Sequence, residues 1–311
     1  MHLAAPIWPL AQSTMSYLQA IVIGILQGIT ELFPVSSLGH SVLVPELLGW
    51  HSLVAGQAAD ESFYLAFLVG LHVATAIALV IFFWRDWVDV VRGFVSSIAK
   101  RRIDAPNERM AWLLVLGTIP VGIVGLVFEH NLRTLFAKPT AAAIFLCVNG
   151  LILLAGERLR RRAATRELVE EHGHHADLAH EVGRDLDTLD LREGLFIGSS
   201  QILALFAGIS RSGVTMVAGL LRGLDHEDAA RLSFMLATPV ILAAGVYKLP
   251  DLLGHNGDHV RGQVLVGSLA AGIAAYISVR FLTRWFQTRT LTPFAIYSLA
   301  FGALMLVVTL T

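Results

Sequence analysis

Gln27-Gly-Ile-Thr-Glu31-Leu-Phe-Pro34-Val-Ser36-Ser37-Leu-Gly-His40 is the stretch that decides the fold of this chain. It lies inside an apolar run, residues 21–48, and yet carries a carboxylate, two hydroxyls and an imidazole. Gln27 and Glu31 are one helical turn apart and share a helix face. Pro34 removes a helical hydrogen bond and disfavours helix at the residue before it, so we predict a break there. Ionisable groups at membrane depth are costly and mark function, so we interpret this break as a site.

The composition is that of a polytopic membrane protein. Of the 311 residues, 55% are hydrophobic and only 15% are charged, which is too apolar for a soluble domain. The formal net charge is −1, and we expect no nucleic-acid partner. The single cysteine, Cys147, excludes an intramolecular disulfide and is interpreted as a packing residue.

Six apolar segments are long enough to cross a membrane, and two more are broken. The predicted spans are residues 62–84, 110–128, 141–156, 229–247, 263–281 and 291–310. The first broken segment joins residues 15–33 to a piece of about nine residues, which is only ~13 Å of helix against ~30 Å of hydrocarbon. The second broken segment is residues 194–221. We interpret both as re-entrant hairpins, which are tolerated only where protein surrounds them.

Basic residues predict the orientation of the chain. Sixteen Lys and Arg fall in the loops at residues 85–109, 157–193 and 280–289. Only four fall in residues 1–20, 49–61, 129–139 and 248–261. By the positive-inside rule the first three loops are cytoplasmic, and both termini are then periplasmic. This parity requires each hairpin to return to the side that it entered.

An internal repeat relates the two hairpins. A shift of 174 positions places Ile23-Gly24 on Ile197-Gly198, Gln27 on Gln201, Ser36 on Ser210, Gly39 on Gly213, Ser41 on Thr215 and Gly49 on Gly223. Three predicted spans separate the copies, and an odd number is the signature of an inverted-topology repeat. We therefore divide one membrane domain, residues 1–311, into a first repeat (15–156), a cytoplasmic polar loop (157–193) and a second repeat (194–311).

The second hairpin carries the chemistry of an anion site. It reads Ala207-Gly208-Ile-Ser210-Arg211-Ser212-Gly213-Val-Thr215. The guanidinium of Arg211 matches phosphate oxygens, and the hydroxyls of Ser210, Ser212 and Thr215 add donors. Gly208 and Gly213 allow close backbone approach, and the half-helix that follows points its positive N-terminus at the same place. At membrane depth, this site predicts a phosphate carried on a lipid.

The two broken tips together predict phosphoryl transfer. Ser37 is a candidate nucleophile, with Glu31 or His40 handling protons, and an activated water is the alternative attacking group. Arg211 and backbone N–H groups would stabilise charge on the transferred phosphoryl group. Glu31 is also the candidate metal ligand, because Mg²⁺ sits on one or two carboxylates plus substrate phosphates. His72, in the first span, is interpreted as structural.

These motifs resemble those of the undecaprenyl-diphosphate phosphatase family, also known as bacitracin-resistance proteins. The resemblance runs from about residue 15 to the C-terminus and rests on Gln27-Gly-Ile-Thr-Glu31, Pro34-Val-Ser-Ser37-Leu-Gly-His40 and Gly208-Ile-Ser-Arg211-Ser-Gly-Val-Thr215. It implies ten helices, six spanning and two re-entrant pairs, often in a homodimer. It also implies hydrolysis of undecaprenyl diphosphate to the monophosphate carrier of cell-wall precursors, a need for Mg²⁺ or Ca²⁺, and a site open to the periplasmic side.

The resemblance can be carried over residue by residue. The family's acidic pair falls on Gln27 and Glu31, its serines on Ser36 and Ser37, its histidine on His40, and its phosphate motif on Ser210, Arg211 and Thr215. Two positions depart from the usual pattern. Ala207 stands where the family usually has proline, and Gln27 leaves one carboxylate for a metal ion. A His-rich tract at residues 172–180 is interpreted as solvated rather than metal-binding.

A polyprenyl-phosphate transporter is the alternative function. Inverted repeats with broken helices are a transporter architecture, and the same phosphate site would then bind the lipid and flip it. Detergent solution distinguishes the two functions because it has no sides: only an enzyme releases inorganic phosphate there. A phosphatase of soluble substrates is disfavoured by the membrane depth of the site.

Overall fold

Helices make up nearly all of the structure. It is a computed structural model, and it describes residues 15–55, 63–128, 138–172, 184–253 and 261–311. Its α-helices are α1 (Tyr17–Thr30), α2 (Ser37–Leu47), α3 (His51–Ala55), α4 (Phe63–Phe82), α5 (Trp84–Lys100), α6 (Pro106–Val127), α7 (Pro139–His172), α8 (Leu191–Ser199), α9 (Arg211–Leu220), α10 (His226–Leu253), α11 (Arg261–Trp285) and α12 (Thr292–Leu310). Short 3₁₀ helices cover Leu186–Thr188 and Ser200–Leu205.

Six of these helices are long and apolar enough to cross a membrane, namely α4, α6, α7, α10, α11 and α12. The predicted all-α polytopic membrane fold is thereby confirmed. In the first broken segment, α1 has 14 residues and α2 has 11, or ~21 and ~16 Å, which is short of a ~30 Å hydrocarbon layer. The described residues hold twelve helices rather than about ten, because α3 and α5 add to the six spans and the two broken pairs.

The segment after the first span is a full helix. The sequence predicts a basic loop at residues 85–109, but α5 has 17 residues and covers most of it. A Cβ on Gly93 would lie 2.6 Å from the backbone of Asn107, so α5 and α6 pack closely. Glu108 of α6 accepts hydrogen bonds from Ser96 at 2.7 Å and from Lys100 at 3.0 Å. These contacts hold α5 against the start of α6.

The polar loop predicted at residues 157–193 begins as helix. α7 continues to His172, because the residues after Gly156 are mostly Arg, Leu, Ala and Glu, which favour helix. Glu157 is buried at this end of the span, and its Oε2 lies 3.0 Å from Nε2 of His226, which begins α10. The His-rich tract beyond His172 lies outside the described residues.

The second hairpin begins at a capping box. Asp190 accepts a hydrogen bond from the backbone N–H of Glu193 at 2.7 Å, and Glu193 accepts one from the backbone N–H of Asp190 at 3.0 Å. The guanidinium of Arg184 also donates to Glu193, at 2.8 Å, and keeps the pKa of that carboxyl below its usual value. These contacts fix where α8 starts, outside the spans.

The chain breaks where the sequence predicts it. α1 ends at Thr30, residues 31–35 form turns around Pro34, and α2 begins at Ser37. Ser36 has φ 71°, a left-handed conformation that is uncommon for a residue with a side chain and costs conformational energy. Its Oγ accepts a hydrogen bond from the N–H of Gly39 at 3.2 Å and so caps α2.

The two halves exchange equivalent contacts. α1 packs on α11, where Gly24 meets the backbone of Gly267, and α8 packs on α6, where Gly198 meets the backbone of Gly117. α4 packs on α10, and α7 packs on α12. Because α6 and α11 hold corresponding places in the two halves, this reciprocal exchange fits a two-fold relation between them. Three spans, α4, α6 and α7, separate the hairpins, which is the odd number that an inverted repeat needs.

The two broken tips meet between the halves. A Cβ on Gly39 would lie 3.0 Å from the Cα of Gly208, so the backbones cross closely. The N–H of Gly208 donates to Ser36 Oγ at 3.1 Å. Asn149 of α7 accepts from the N–H of Ser210 at 2.9 Å and donates to the carbonyl of Pro34 at 3.0 Å. Backbone groups of both breaks therefore have hydrogen-bond partners, as an apolar surrounding requires.

Candidate active site

A cavity of about 250 Å³ lies beside the meeting point of the tips. Its polar end is formed by Glu31, Ser36, Ser37, His72, Ser210 and Arg211. Its remaining walls are largely apolar and come mainly from α4, α6, α10 and the 3₁₀ helix Ser200–Leu205. A charged end joined to apolar walls suits a ligand with an anionic head and a hydrocarbon chain.

The carboxylate of Glu31 is the centre of the polar end. Its side chain is 6% exposed, and both oxygens accept hydrogen bonds. Oε2 accepts a very short hydrogen bond from Ser37 Oγ and another from Gln27 Nε2 at 3.1 Å. Oε1 accepts from Arg211 Nη2 at 3.1 Å. This buried charge is therefore paired and hydrogen-bonded, which is the condition for keeping a carboxylate ionised in an apolar surrounding.

Ser37 and Arg211 occupy the same place in the two hairpins. Ser37 is the first residue of α2, and Arg211 is the first residue of α9. The first N–H groups of a helix have no partner within the helix and carry partial positive charge, so both helix N-termini favour an anion at this end of the cavity. Arg211 Nη1 also donates to the carbonyl of Ser233 at 3.2 Å, which steadies the guanidinium.

Several residues predicted to bind phosphate lie behind the cavity wall and build it. They are Gln27, Gly208, Ser212, Gly213 and Thr215, and none of them lines the cavity. The N–H of Gly213 donates to Ser210 Oγ at 3.1 Å, and Ser212 Oγ donates to the carbonyl of Phe33 at 3.3 Å. Thr215 Oγ1 lies 2.6 Å from Ser233 Oγ. Of the predicted phosphate-binding set, Ser36 and Ser210 reach the cavity.

His40 is turned away from the cavity. Its Nδ1 lies 2.7 Å from the carbonyl oxygen of Ser36, and its Nε2 lies 2.8 Å from the hydroxyl of Tyr297. The ring is 1% exposed and stacks on Tyr297 and Phe301 of α12. Both ring nitrogens are thus occupied by groups outside the Glu31–Ser37 pair. This placement gives His40 the part of a packing and orienting residue for α2 rather than the proton-handling role expected for it.

Sequence reasoning missed two residues of the site. His72 Nε2 lies 3.3 Å from Glu31 Oε2, so its interpretation as merely structural is not supported. Asn149 is fully buried and joins the two tips. A signal for both existed, because each is a polar side chain in the middle of an apolar span, and such residues mark function or a polar contact between helices. Glu46, a further carboxylate of α2, instead lies 3.0 Å from His51 at the helix end.

The donor set does not build a resident metal site. In the described part of the chain, no three His, Cys, Asp or Glu side chains lie together as metal ligands would. Glu31, the carboxylate expected to hold a cation, has both oxygens hydrogen-bonded, and one of its donors is a guanidinium. A divalent cation bound to Glu31 would have to displace one of these donors or lie directly beside the guanidinium of Arg211. The residues present therefore do not fit a cation held by the protein alone.

Comparisons with known proteins agree with this picture. Residues 20–304 match the family described as "Bacitracin resistance protein BacA". A protein of Frankia alni named Undecaprenyl-diphosphatase 2 is 56% identical over 332 residues, covering 93% of this chain and 97% of the relative. A protein of Mycolicibacterium paratuberculosis named Undecaprenyl-diphosphatase is 57% identical over 302 residues, covering 94% and 97%. Undecaprenyl-diphosphatase 2 of Chromobacterium violaceum is 42% identical over 292 residues, covering 93% and 97%.

Proposed function

The chain belongs to the bacitracin resistance protein BacA family, and from that premise we propose that it is an undecaprenyl-diphosphate phosphatase. It is an integral membrane hydrolase that converts undecaprenyl diphosphate to undecaprenyl phosphate and inorganic phosphate. This reaction recycles the lipid carrier for peptidoglycan and other cell-wall polymers, and it is the basis of bacitracin resistance in the family. The substrate partner is therefore a polyprenyl diphosphate lipid.

One observation carries the chemistry. An acid–hydroxyl pair, Glu31 and Ser37, faces an arginine, Arg211, at the polar end of a cavity whose other walls are apolar. A diphosphate has the charge to bind at that end, and the first isoprene units have the polarity of the walls. The N-termini of α2 and α9 add donors without adding mobile groups, which is the preorganisation that phosphoryl transfer requires.

The proposed reaction begins with Ser37. Its Oγ attacks the terminal phosphorus while its proton passes to Glu31 Oε2, to which it is already hydrogen-bonded. The bond between that phosphorus and the bridging oxygen breaks, and undecaprenyl phosphate leaves. Arg211 stabilises the charge on the phosphoryl oxygens. The proton on Glu31 then passes to the departing phosphate or to water.

Hydrolysis of the phosphoserine completes the cycle. Glu31, again ionised, accepts a proton from a water molecule that attacks the phosphorus. The bond between phosphorus and Ser37 Oγ breaks, inorganic phosphate leaves, and the same proton returns to Ser37. In the alternative route Glu31 activates water for direct attack on the diphosphate, and Ser37 only donates a hydrogen bond.

We propose that the expected divalent cation, Mg²⁺ or Ca²⁺, arrives with the diphosphate. Diphosphate oxygens are ligands of the kind that Mg²⁺ prefers, and they need little from the protein. Titration calorimetry of the purified protein with Mg²⁺ should then show no tight site without substrate. Tight, stoichiometric binding to the protein alone, lost in Glu31→Gln, would contradict this part of the proposal.

The proposed orientation places the protein in the bacterial inner membrane with a site open to the periplasm. The distribution of Lys and Arg, sixteen on one set of loops and four on the other, supports the orientation of the chain. The periplasmic opening of the site is what the family resemblance implies. A cysteine at residue 100 should be labelled only from the cytoplasm, and cysteines at residues 55 and 311 only from outside. Labelling of residues 55 and 100 from the same side would contradict the inverted arrangement.

A homodimer, often found in the family, is tested by the mass of the protein–detergent complex.

Phosphate release in detergent tests the function itself. The purified chain should release inorganic phosphate from undecaprenyl diphosphate in detergent micelles, and Arg211→Ala should not. The matched control is Arg222→Ala, which changes an exposed arginine whose guanidinium lies over the ring of Phe196. Should the wild-type chain release no phosphate in detergent but move the lipid across a vesicle membrane, the transporter alternative would replace the phosphatase.

A further inference from the structure

His72 lies at the polar end of the cavity, and the proposed reaction gives it no role. It lies on α4, its side chain is 20% exposed, and it contacts Oε2 of Glu31, whereas Arg211 contacts Oε1. Its Nδ1 lies 2.8 Å from the carbonyl oxygen of Leu68. A carbonyl oxygen can only accept a hydrogen bond, so Nδ1 is a donor.

The second ring nitrogen must also donate. Nε2 lies 3.3 Å from Glu31 Oε2, and a carboxylate oxygen is again an acceptor. If Nε2 carried a lone pair, two acceptors would face each other in a buried site, at a large cost. With Glu31 ionised, these two contacts assign protons to both nitrogens of His72.

Glu31 needs a donor on this side because of Arg211. Guanidinium and carboxylate groups tend to form bidentate pairs with two parallel hydrogen bonds. Here Arg211 contacts Glu31 through Nη2 and Oε1, while Oε2 is turned to Ser37, Gln27 and His72. Rotation of the carboxylate onto Arg211 would draw Oε2 away from Ser37 and would also occupy the guanidinium that the substrate phosphate needs.

We propose that His72 is a positioning residue that donates to Glu31 Oε2 and keeps this oxygen directed at Ser37. The inference rests on the proposed phosphatase function and adds a residue to it. Its contribution is greatest in the second half of the reaction. Once Ser37 is esterified its hydroxyl can no longer donate to Glu31, and Gln27 and His72 alone keep Oε2 away from Arg211.

Two substitutions of His72, which differ in how far their side-chain amide extends towards Glu31, test this contact. The side-chain amide of His72→Gln extends about as far as Nε2 and can donate to Glu31, whereas that of His72→Asn is one carbon shorter. We expect His72→Asn to lower kcat by ~10²-fold, the effect of a misplaced catalytic group, and His72→Gln to stay within about threefold of wild type. Thr75→Val is the matched control on α4, because Thr75 is buried and donates only to its own helix.

A double variant separates positioning from general damage to the fold. If His72 acts through Glu31 and Ser37, then His72→Asn should cost less than about twofold on a Ser37→Ala background, because residues that act as a unit are not additive. Turnover is measured as phosphate release by the full chain in detergent, with thermal unfolding of every variant alongside.

Three outcomes would overturn the role of His72. They are near-normal turnover in His72→Asn, equal losses in His72→Asn and His72→Gln, and a full additional loss on the Ser37→Ala background. Absence of phosphate release from the wild-type chain is a different result, because it would contradict the proposed function itself.

Discussion

The two hairpin tips share a backbone design and differ in chemistry. In each, a serine caps the half-helix from three residues before a glycine: Ser36 accepts from Gly39, and Ser210 accepts from Gly213. The shift of 174 positions that superposes the caps places Ser37 on Arg211 and Glu31 on Leu205. One tip therefore supplies the acid and the hydroxyl, and the other supplies the cation at the equivalent first position of its half-helix.

This difference explains how a repeat can build an asymmetric site. A two-fold arrangement brings two helix N-termini to one place, which gives anion-binding backbone from both halves. Phosphoryl transfer also needs two different groups, a base for the attacking nucleophile and a cation for the phosphoryl oxygens, and a symmetric pair of identical side chains cannot provide both. The first residue of each half-helix is where the symmetry of the backbone is kept and the symmetry of the side chains is lost.

Removal of a reactive side chain should lower turnover more at the first tip than at the second. If Ser37 attacks phosphorus, Ser37→Ala should lower turnover by ~10³-fold or more, whereas loss of a mere hydrogen-bond donor should cost ~10–10²-fold. Ser41→Ala is the control, since Ser41 is a buried serine of the same half-helix that does not line the cavity and donates to the carbonyl of Leu38 in its own helix. Trapping a phosphoserine at Ser37 would establish the covalent route, and a fully active Ser37→Ala protein would leave water as the attacking group.

Glu31→Gln should be severe whether Ser37 or water attacks the phosphorus. The change keeps the shape of the side chain but removes the base, so turnover should fall by ~10³-fold. Raised pH should not restore it, because an amide cannot be deprotonated in that range. Recovery of phosphate release at high pH would show that hydroxide, rather than Glu31, can supply the base.

At the second tip, a substitution that keeps the positive charge of Arg211 should still lower turnover. Arg211→Lys keeps the positive charge but replaces a planar fork with a point charge, and it also loses the bond to the carbonyl of Ser233. We expect ~10²-fold lower turnover with the fold retained. Arg222→Lys, at an exposed position two residues beyond the end of α9, is the control and should be neutral. Near-normal turnover of Arg211→Lys would reduce Arg211 to an anchor for the hairpin.

The sequence predicts the helix break and the reactive residues of the site better than the tertiary contacts that hold them in place. The helix break at Pro34, the repeat and the chemistry at Glu31, Ser37 and Arg211 all depend on local residue types or fixed spacing, and these are readable along the chain. The contacts of His72 and Asn149 depend on which helices pack beside the tips. That is a tertiary property, so each looks in sequence like an isolated polar residue in a span.

Asn149 tests whether the two tips depend on one another. Asn149→Ala would leave the N–H of Ser210 and the carbonyl of Pro34 without their partner, and each lost buried contact costs about 1–3 kcal/mol. We expect ~2–4 kcal/mol lower unfolding free energy. Ser298→Ala, which removes only the 3.2 Å contact of Ser298 with the same amide, should cost about 1 kcal/mol. Equal effects of the two changes in thermal unfolding would mean that the tips are held together by other contacts.

Substitutions at the far ends of the half-helices should have the smallest effects on unfolding free energy, and the effects at the two ends should be nearly equal. Gly49 and Gly223, which the 174-position shift superposes, have φ of 72° and 87°. Each donates its N–H to the carbonyl three residues back, and the next residue, Trp50 or Leu224, donates five residues back.

Neither end carries a reactive side chain, so the two hairpins are compared there by backbone conformation alone. A Cβ would meet nothing within 4 Å at Gly49 and only a contact at 3.9 Å at Gly223, so alanine at either position pays only for the left-handed conformation. Each should lower the unfolding free energy by ~1 kcal/mol, with a difference below about 0.5 kcal/mol. Gly122→Ala, an open position inside α6, should instead gain up to about 1 kcal/mol. A clearly larger loss at one of the two glycines would show that the repeat extends to the tips but not to the ends of the half-helices.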